Sequence, residues 1–171
     1  MGVEGGRTMK QKYPRECGGC TACCTTHGIN ELQKKPGKPC QFCNEGLGCK
    51  VYDHRPRGCR EFACEWLKGA FAHEQRPDYC GLVFDLQVAR GLPNGGKVLV
   101  VFEYLSGSLE RFRSEGFIEE TLAAGIFIIF RYLSGRGQFY APMGRQISQE
   151  AFDHLAAKNA EVIYLPVPVN V

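Results

Sequence analysis

Nine of the ten cysteines in this 171-residue chain lie within 48 consecutive residues, at spacings that suit metal coordination. Two cysteines separated by two residues can reach one ion from a single short turn, with sulfur–metal distances of about 2.3 Å. Thiolates are soft ligands that bind zinc, iron and copper. The candidate metal ligands are Cys17, Cys20, Cys23, Cys24, Cys40, Cys43, Cys49, Cys59 and Cys64.

The number of cysteines predicts more than one metal ion. A tetrahedral zinc ion takes about four thiolates, so nine thiolates predict a site of roughly two or three ions, with zinc preferred. Adjacent side chains on an extended backbone point in opposite directions, so Cys23 and Cys24 are expected to serve different ions unless one of them bridges. Cys59 and Cys64 would lie about 140° apart on a helix. They are also expected to serve two centres, or to lie on a helix that breaks between them.

The spacing leaves the metal and the role open. Cys20-x2-Cys23 and Cys40-x2-Cys43 fit the template of a zinc ribbon, which would make a nucleic-acid or protein interaction module. Cys17-x2-Cys20-x2-Cys23 opens like a bacterial ferredoxin motif, although Cys24 follows at once and no C-x3-C-P continues it. An iron–sulfur redox or catalytic protein is therefore the main alternative to a structural or metal-handling zinc protein.

The cysteine motif continues in a distinctive set of residues. After Cys17-x2-Cys20-x2-Cys23-Cys24 come Cys40, Cys49-Lys50-Val51-Tyr52, Arg55-Pro56 and Cys59-Arg60-x-Phe62. Across residues 17–64 this combination resembles the CxxCxxCC, or YkgJ-like, family of zinc- or iron-chelating proteins. The resemblance implies metal ligands at the motif cysteines, with Cys43 and Cys64 belonging to one bacterial branch. Flagellin lysine methylases are similar over the same motif, which implies redox or methyl-transfer chemistry, but this chain is shorter and its second half has no cofactor motif.

Charge and hydropathy bear on the partners. Residues 1–80 carry 13 Lys and Arg against 9 Asp and Glu, whereas residues 81–171 carry 8 against 9. The cysteine-rich half is thus the basic half, and its cations can offset the negative charge of metal thiolates. The net charge of +3 does not favour nucleic acid as a partner. The expected partners are metal ions, and a protein partner is left open.

The compartment follows from the apolar segments. The chain begins without an apolar leader, and its longest apolar run, residues 122–130, is shorter than the roughly 20 residues of a membrane span. We therefore expect a cytoplasmic protein without membrane contact, in which reducing conditions favour metal thiolates over disulfides. No phosphate loop, H-E-x-x-H or G-x-S-x-G motif is present, so the sequence does not favour an enzyme.

Three smaller features complete the candidate site. His27, three residues after Cys24, is a possible further ligand, with a surface histidine as the alternative. Cys80 stands outside the motif and is expected to be a buried structural thiol. The basic stretch at Lys34, Lys35 and Lys38 reads as a solvated loop.

The remaining pattern predicts the fold that positions these cysteines. Residues 1–15 are expected to form a flexible tail, and residues 16–171 a single domain. Within it, residues 16–68 read as a loop-rich cysteine region and residues 79–171 as a sheet-and-helix region. The predicted fold class is α+β, with the metal-stapled amino-terminal half packed on a small antiparallel sheet that carries two or three helices.

Individual elements follow from periodicity and turn signals. Pro56 suits the first position of a helix over residues 56–67. A Pro-Asn-Gly-Gly turn at residues 93–96 predicts a β-hairpin. Ser114 and Ser148 are candidate helix caps. The predicted strands are residues 81–88, 97–105, 126–132, 137–142 and 162–165, and the predicted later helices are residues 115–124 and 148–159.

Overall fold

The computed structural model describes residues 12–89, 91–93, 96–113 and 116–166. The cysteine-rich half contains only short elements separated by loops and three 3₁₀ turns at Asn30–Leu32, Tyr52–His54 and His73–Gln75. Its helices and strands are α1 (Ala22–Thr26), β1 (Cys43–Asn44), β2 (Gly48–Cys49), α2 (Arg57–Glu61) and α3 (Pro77–Cys80).

The second half contains a five-stranded sheet in the order β3-β4-β5-β6-β7. Its elements are β3 (Leu82–Val88), β4 (Lys97–Glu103), α4 (Ser108–Phe112), α5 (Phe117–Ala123), β5 (Phe127–Arg131), β6 (Gly137–Pro142), α6 (Gln149–Ala157) and β7 (Ala160–Leu165). The predicted α+β class and all five predicted strands are confirmed, with ends that differ by one or two residues.

The sheet is mixed rather than purely antiparallel. β3–β4 and β5–β6 pair antiparallel, whereas β4–β5 and β6–β7 pair parallel. The physical reason lies in the connections, because parallel neighbours need a crossover and helices supply it here. α4 and α5 connect β4 to β5, and α6 connects β6 to β7.

Alternation along the strands divides the sheet into two apolar faces. One face, the α5 face, buries Leu99, Val101, Ile128 and Phe130 against the helices α4 and α5. The opposite face, the α6 face, carries Val98, Val100, Phe127 and Phe139 and packs against Leu155 of α6. The capped start of α6 is confirmed, because Ser148 Oγ accepts a hydrogen bond from the Ala151 N–H at 3.2 Å.

Glu65 joins the cysteine-rich half to the first strand of the sheet. Its backbone N–H donates to the Phe84 carbonyl at 2.9 Å. Its buried carboxylate accepts hydrogen bonds from the Leu86 N–H at 3.4 Å and from Lys68 Nζ at 2.6 Å. Glu65 alone therefore satisfies two backbone groups on the open edge of β3, the Phe84 carbonyl and the Leu86 N–H.

The helix predicted over residues 56–67 is wrong in length. α2 ends at Glu61, and Phe62 is extended with φ −75° and ψ 133°. The chain leaves the helix because Ala63, Trp66 and Leu67 bury their side chains together in a small cluster. A continuous helix would also move Glu65 away from β3.

The predicted tail is only partly described. Residues 1–11 lie outside the described part of the chain, but Arg15 is anchored: its guanidinium donates to the carbonyls of Trp66 at 2.9 Å and Phe71 at 2.7 Å. Ser114, the predicted cap, also lies outside, as do Asn94 and Gly95 of the predicted turn. Within the described ranges, every helix is too short or too polar to cross a bilayer.

Candidate functional site

The first four candidate cysteines occupy one turn and the helix that follows it. The Cys20 N–H donates to the Cys17 carbonyl at 2.9 Å, and α1 then carries Cys23 and Cys24. The expected extended backbone at this pair is therefore wrong, because neighbouring helical side chains lie about 100° apart. Their thiols are hydrogen-bonded to each other. The side chains of Cys23 and Cys24 therefore do not point in opposite directions, and their thiols interact with each other.

Cys40, Cys43 and Cys49 form a second unit that is attached to α1. The Cys40 N–H donates to the Cys24 carbonyl at 3.0 Å, and the Cys43 N–H donates to the Cys40 carbonyl at 2.9 Å. Cys43 then pairs directly with Cys49 across the two-stranded β1–β2 ribbon. A chain of backbone hydrogen bonds therefore holds the second Cys-x2-Cys pair against the first helix.

Cys59 and Cys64 lie on either side of the end of α2. Cys59 is within the helix, and Cys64 follows after the break at Phe62. Cys64 and Cys17 both pack against the cluster around Trp66. The structure thus corresponds to the second of the two predicted possibilities, a helix that breaks between the two cysteines.

Electrostatic interactions divide the nine thiols into two groups that meet at Cys23 and Cys24. Cys17 interacts with Cys20, Cys23 and Cys64, and Cys24 interacts with Cys43 and Cys59, while Cys17 and Cys24 also interact with each other across the two groups. The Cys17 group consists of Cys17, Cys20, Cys23 and Cys64. The Cys24 group consists of Cys24, Cys40, Cys43, Cys49 and Cys59. The two Cys-x2-Cys pairs of the zinc-ribbon template therefore fall in different groups.

Burial keeps most of these thiols protonated. It raises the pKa of Cys17 and of Cys64, and it raises the pKa of Cys20 to about 11. In the Cys24 group, burial is again the main cause that raises the pKa of Cys43 and of Cys59, with the charge of Cys24 next. Protein without metal therefore holds these sulfurs as thiols at neutral pH.

Cys24 is the exception. The hydrogen bond from the Cys23 thiol, with smaller contributions from Cys43, Lys34 and Arg55, lowers the pKa of Cys24 to about 6. The same hydrogen bond, together with burial, raises the pKa of Cys23 well above its ordinary value. One thiolate at neutral pH thus lies at the junction of the two groups, where it accepts hydrogen bonds from a thiol of each.

Three cations lie close to the sulfurs. Lys34 is half-buried and its Nζ donates to the carbonyls of His27 and of Thr25, the latter at 3.1 Å. Arg55 acts on the thiols of Cys17, Cys24 and Cys59, and Arg76 Nη2 donates to the Cys17 carbonyl at 3.1 Å.

The sequence identified only one of these cations as a neighbour of sulfur. Arg55 belongs to the motif, but Lys34 was predicted to belong to a solvated loop, a prediction that holds only for the exposed Lys35 and Lys38. The pairing of Ile29 with Lys34 turns the Lys34 side chain inward. No local signal distinguishes Lys34 from its neighbours. The Arg-Pro-Asp sequence at residues 76–78 was the available signal for Arg76.

Gly19 permits a close approach between the two units. A Cβ at Gly19 would lie 2.4 Å from the carbonyl oxygen of Gly46, which belongs to the loop between β1 and β2. No side chain larger than hydrogen fits there without a backbone shift. The glycine between Cys17 and Cys20 therefore lets their turn pack directly on the cysteine-bearing ribbon.

All ten cysteines are free thiols. Across the described ranges, no set of three or more His, Cys, Asp or Glu side chains is arranged so that it could hold a metal ion. The donor set fits thiophilic ions by its chemistry and by its collection on α1, the ribbon and α2. Metal binding would require rotation of several thiols from this arrangement.

The remaining candidates lie apart from the sulfurs. His27 packs between the rings of Phe62 and Phe102 at centroid distances of 4.2 and 4.4 Å, and its Nδ1 is 2.8 Å from Thr26 Oγ1. Its ring thus joins the cysteine-rich half to β4. Cys80 donates from its sulfur to the carbonyls of Gln75 at 3.3 Å and Leu82 at 3.5 Å, consistent with a structural thiol.

Comparison with known proteins does not place this chain in a family. No protein-family model, no curated protein and no solved structure matches this chain. The resemblance to the CxxCxxCC family therefore stays a prediction that depends on the motif residues themselves.

Proposed function

We propose that this chain is a metal–thiolate protein that binds roughly two or three thiophilic ions, zinc preferred, through its nine clustered cysteines. The observation that supports this most strongly is that backbone hydrogen bonds gather free cysteines from separate segments: the Cys40 N–H donates to the Cys24 carbonyl at 3.0 Å, and Cys43 pairs with Cys49 across the ribbon. Sulfurs that share hydrogen bonds need only local rotation to share an ion.

In the proposal, the Cys17 group and the Cys24 group each supply ligands. Zinc would supply a fixed, redox-inert coordination centre when bound. When the thiols lose their protons to bind metal, the positive charges of Lys34, Arg55 and Arg76 would partly offset the negative charges of the thiolates. Since most of these thiols are protonated without metal, binding releases protons and weakens as the pH falls. The role is structural or metal-handling, in the cytoplasm.

An iron–sulfur protein is the second candidate. It is favoured by the register of Cys17, Cys20 and Cys23 and by the burial of that group beside Trp66. The guanidinium of Arg76 lies 5.8 Å from the Trp66 ring and acts on the Cys17 thiol, so a cation is available to raise a reduction potential there.

The deciding experiment is metal analysis of the protein purified without oxygen from cells that were given no added metal. We expect roughly two or three zinc ions per chain and no visible absorption. Iron with acid-labile sulfide and a brown colour would replace this proposal with the second candidate. Protein that is metal-free as isolated and takes up neither zinc nor iron would refute both.

Matched variants locate the ions. Cys23→Ser and Cys40→Ser each remove one sulfur from a different group, so each should lower the zinc content and weaken the thiolate-to-cobalt absorption of cobalt-loaded protein. Cys80→Ser is the control, because its sulfur bonds to the carbonyls of Gln75 and Leu82. An equal effect of all three substitutions would show that zinc binds without regard to the clusters.

A second measurement separates a structural role from a metal-handling role. Among its described residues, the cysteine-rich half has one small buried apolar cluster, around Ala63, Trp66 and Leu67, so bound ions should contribute much of its stability. We expect a strong chelator to lower the melting temperature and to reduce the far-ultraviolet signal. A chelator that removes all metal without either change would favour handling over structure.

A further inference from the structure

A groove of about 1040 Å³ opens on the α6 face of the sheet. Val100 and Phe102 of β4 and Ile129 of β5 line its floor. One wall is the cysteine-rich half at Thr26 and Pro36, and the other wall is α6. The volume is that of sites that hold drug-sized ligands, and such sites are mostly apolar with a few polar groups.

The groove exists because two different elements share one face of the sheet. The His27 ring is tilted against Phe102, with a centroid distance of 4.4 Å, and its Nε2 lies 3.8 Å from Asp85 Oδ2 of β3, so the cysteine-rich half covers the β3 side. Leu155 of α6 covers the β6 side. Neither element reaches over Ile129, which leaves an apolar strip between them.

Arg131 lies at one end of this strip. It follows Ile129 on the same face of β5 and is half-buried. Its Nη1 donates to the Lys158 carbonyl at 2.8 Å, and it forms no ion pair with a carboxylate in the part of the chain that the structure describes. Burial alone lowers its pKa, with no compensating acid.

Glu103 and Glu150 line the groove together with Arg131, His154 and Lys158, so acidic and basic groups are both present. The carboxylate of Glu103 already accepts hydrogen bonds from the N–H groups of Gly107 at 2.8 Å and Leu133 at 3.1 Å. Glu150 is exposed in the first turn of α6. His154 of α6 and Lys158, which follows the last residue of that helix, line the groove with Arg131.

We propose that this groove binds a small molecule with an apolar body and one anionic head group, a carboxylate or a phosphate. The head group would bind the guanidinium of Arg131, and the body would lie over Phe102 and Ile129. A partly desolvated guanidinium is well suited to carboxylate and phosphate oxygens. No cysteine lines the site, although Thr26 in its wall belongs to α1, which carries Cys23 and Cys24.

Calorimetric titration with decanoate and with decyl phosphate tests the proposal, and amide NMR shifts locate the ligand. We expect one site with a dissociation constant below about 1 mM and shifts at residues 129–131 and 151–158. The head group that binds more tightly identifies the natural class. Decan-1-ol and decyltrimethylammonium should bind about tenfold more weakly or worse. No saturable binding of either anion, or equal binding of the cation, overturns the proposal.

Substitutions at the basic end make the test specific. Arg131→Gln should weaken decanoate binding by about ten- to a hundredfold, because a charged hydrogen bond is lost, whereas Arg131→Lys should keep most of the affinity. Arg113→Gln is the matched control, since Arg113 pairs with Glu110 and stacks over Tyr140 on the α5 face.

A second variant changes an exposed residue, so it should not disturb folding. If Arg131→Gln does not fold, the exposed Lys158→Glu reverses a charge at the rim and should also weaken binding about tenfold or more. If Arg131→Gln or Lys158→Glu folds and binds decanoate as tightly as Arg113→Gln does, the proposed head-group site is overturned.

Discussion

A single methyl group at Gly19 tests whether the two cysteine units pack as described. The Cβ of an alanine there would lie 2.4 Å from the Gly46 carbonyl oxygen, and relief requires a shift of the Cys17 turn away from the ribbon. Gly58 is the matched control. It lies within α2, where a Cβ would meet Glu31 Oε2 at an ordinary 3.5 Å.

The two substitutions should have opposite signs. Overpacking at Gly19 costs about 1–3 kcal/mol, and the smaller entropy of the unfolded alanine chain offsets about 0.4–1 kcal/mol of that. The net loss for Gly19→Ala is therefore about 0–2.6 kcal/mol, with a midpoint of about 1.3 kcal/mol. Gly58→Ala gains about 0.5–1 kcal/mol from helix propensity. The midpoints differ by about 2 kcal/mol, so at roughly 2–4 °C per kcal/mol for a chain of this size the melting temperatures should differ by about 4–8 °C.

Thermal unfolding followed by circular dichroism, with and without chelator, measures this difference. Zinc content should fall in Gly19→Ala and stay unchanged in Gly58→Ala, because only the first separates the two groups of sulfurs. Equal melting temperatures and equal zinc contents for the two variants would refute the packing of the Cys17 turn on the β1–β2 ribbon.

Three further predictions concern charge and protonation. Glu103→Gln should lower the free energy of unfolding in urea by about 1.5–3 kcal/mol. Gly107 and Leu133 donate to different oxygens of the Glu103 carboxylate, and glutamine has only one acceptor oxygen. A loss below about 0.5 kcal/mol would contradict this. In chelator-treated protein at pH 7, iodoacetamide should modify Cys24 well before Cys20, as read by peptide mass spectrometry, because their pKa values are about 6 and about 11. The urea midpoint of the same protein should fall as the pH drops from 9.0 toward 6, because the folded state loses the stability that it gains from the lowered pKa of Cys24. It should also fall as the pH rises from 9.0 toward 11, because Cys20 ionises more readily in the unfolded chain than in the folded one. A midpoint that rises steadily above pH 9 would exclude the second effect.

The sheet was predictable because its strands alternate clearly. Val98, Val100 and Phe102 face one side and Leu99 and Val101 the other, which is the period that strand prediction uses. The parallel pairs were missed although each follows a strand–helix–strand order that requires a crossover. α3 and α4 were missed because four or five residues are too few for a helical period to show.

The geometry of the cysteine-rich half was not predictable from its sequence, and its metal chemistry stays a prediction. Spacing identified the nine cysteines and two places where the chain should divide them between centres. It could not show that Cys23 and Cys24 would be helical, because the short α1 is fixed by hydrogen bonds to residues such as Lys34 and Cys40. Nor could it show that α2 ends at Glu61, since the burial of Trp66 and the bonds of Glu65 with β3 are tertiary contacts.

The contact of Glu65 with β3 also bears on how this protein would fail. β3 is an edge strand, and open edges recruit strands from other molecules. The backbone groups of Phe84 and Leu86 are occupied by Glu65, whereas the strand beyond them ends in the exposed Val88. Loosening of residues 63–67 would lengthen the open edge toward the apolar start of β3. The early sign of damage to the cysteine-rich half would then be self-association of otherwise folded sheets, before any global unfolding.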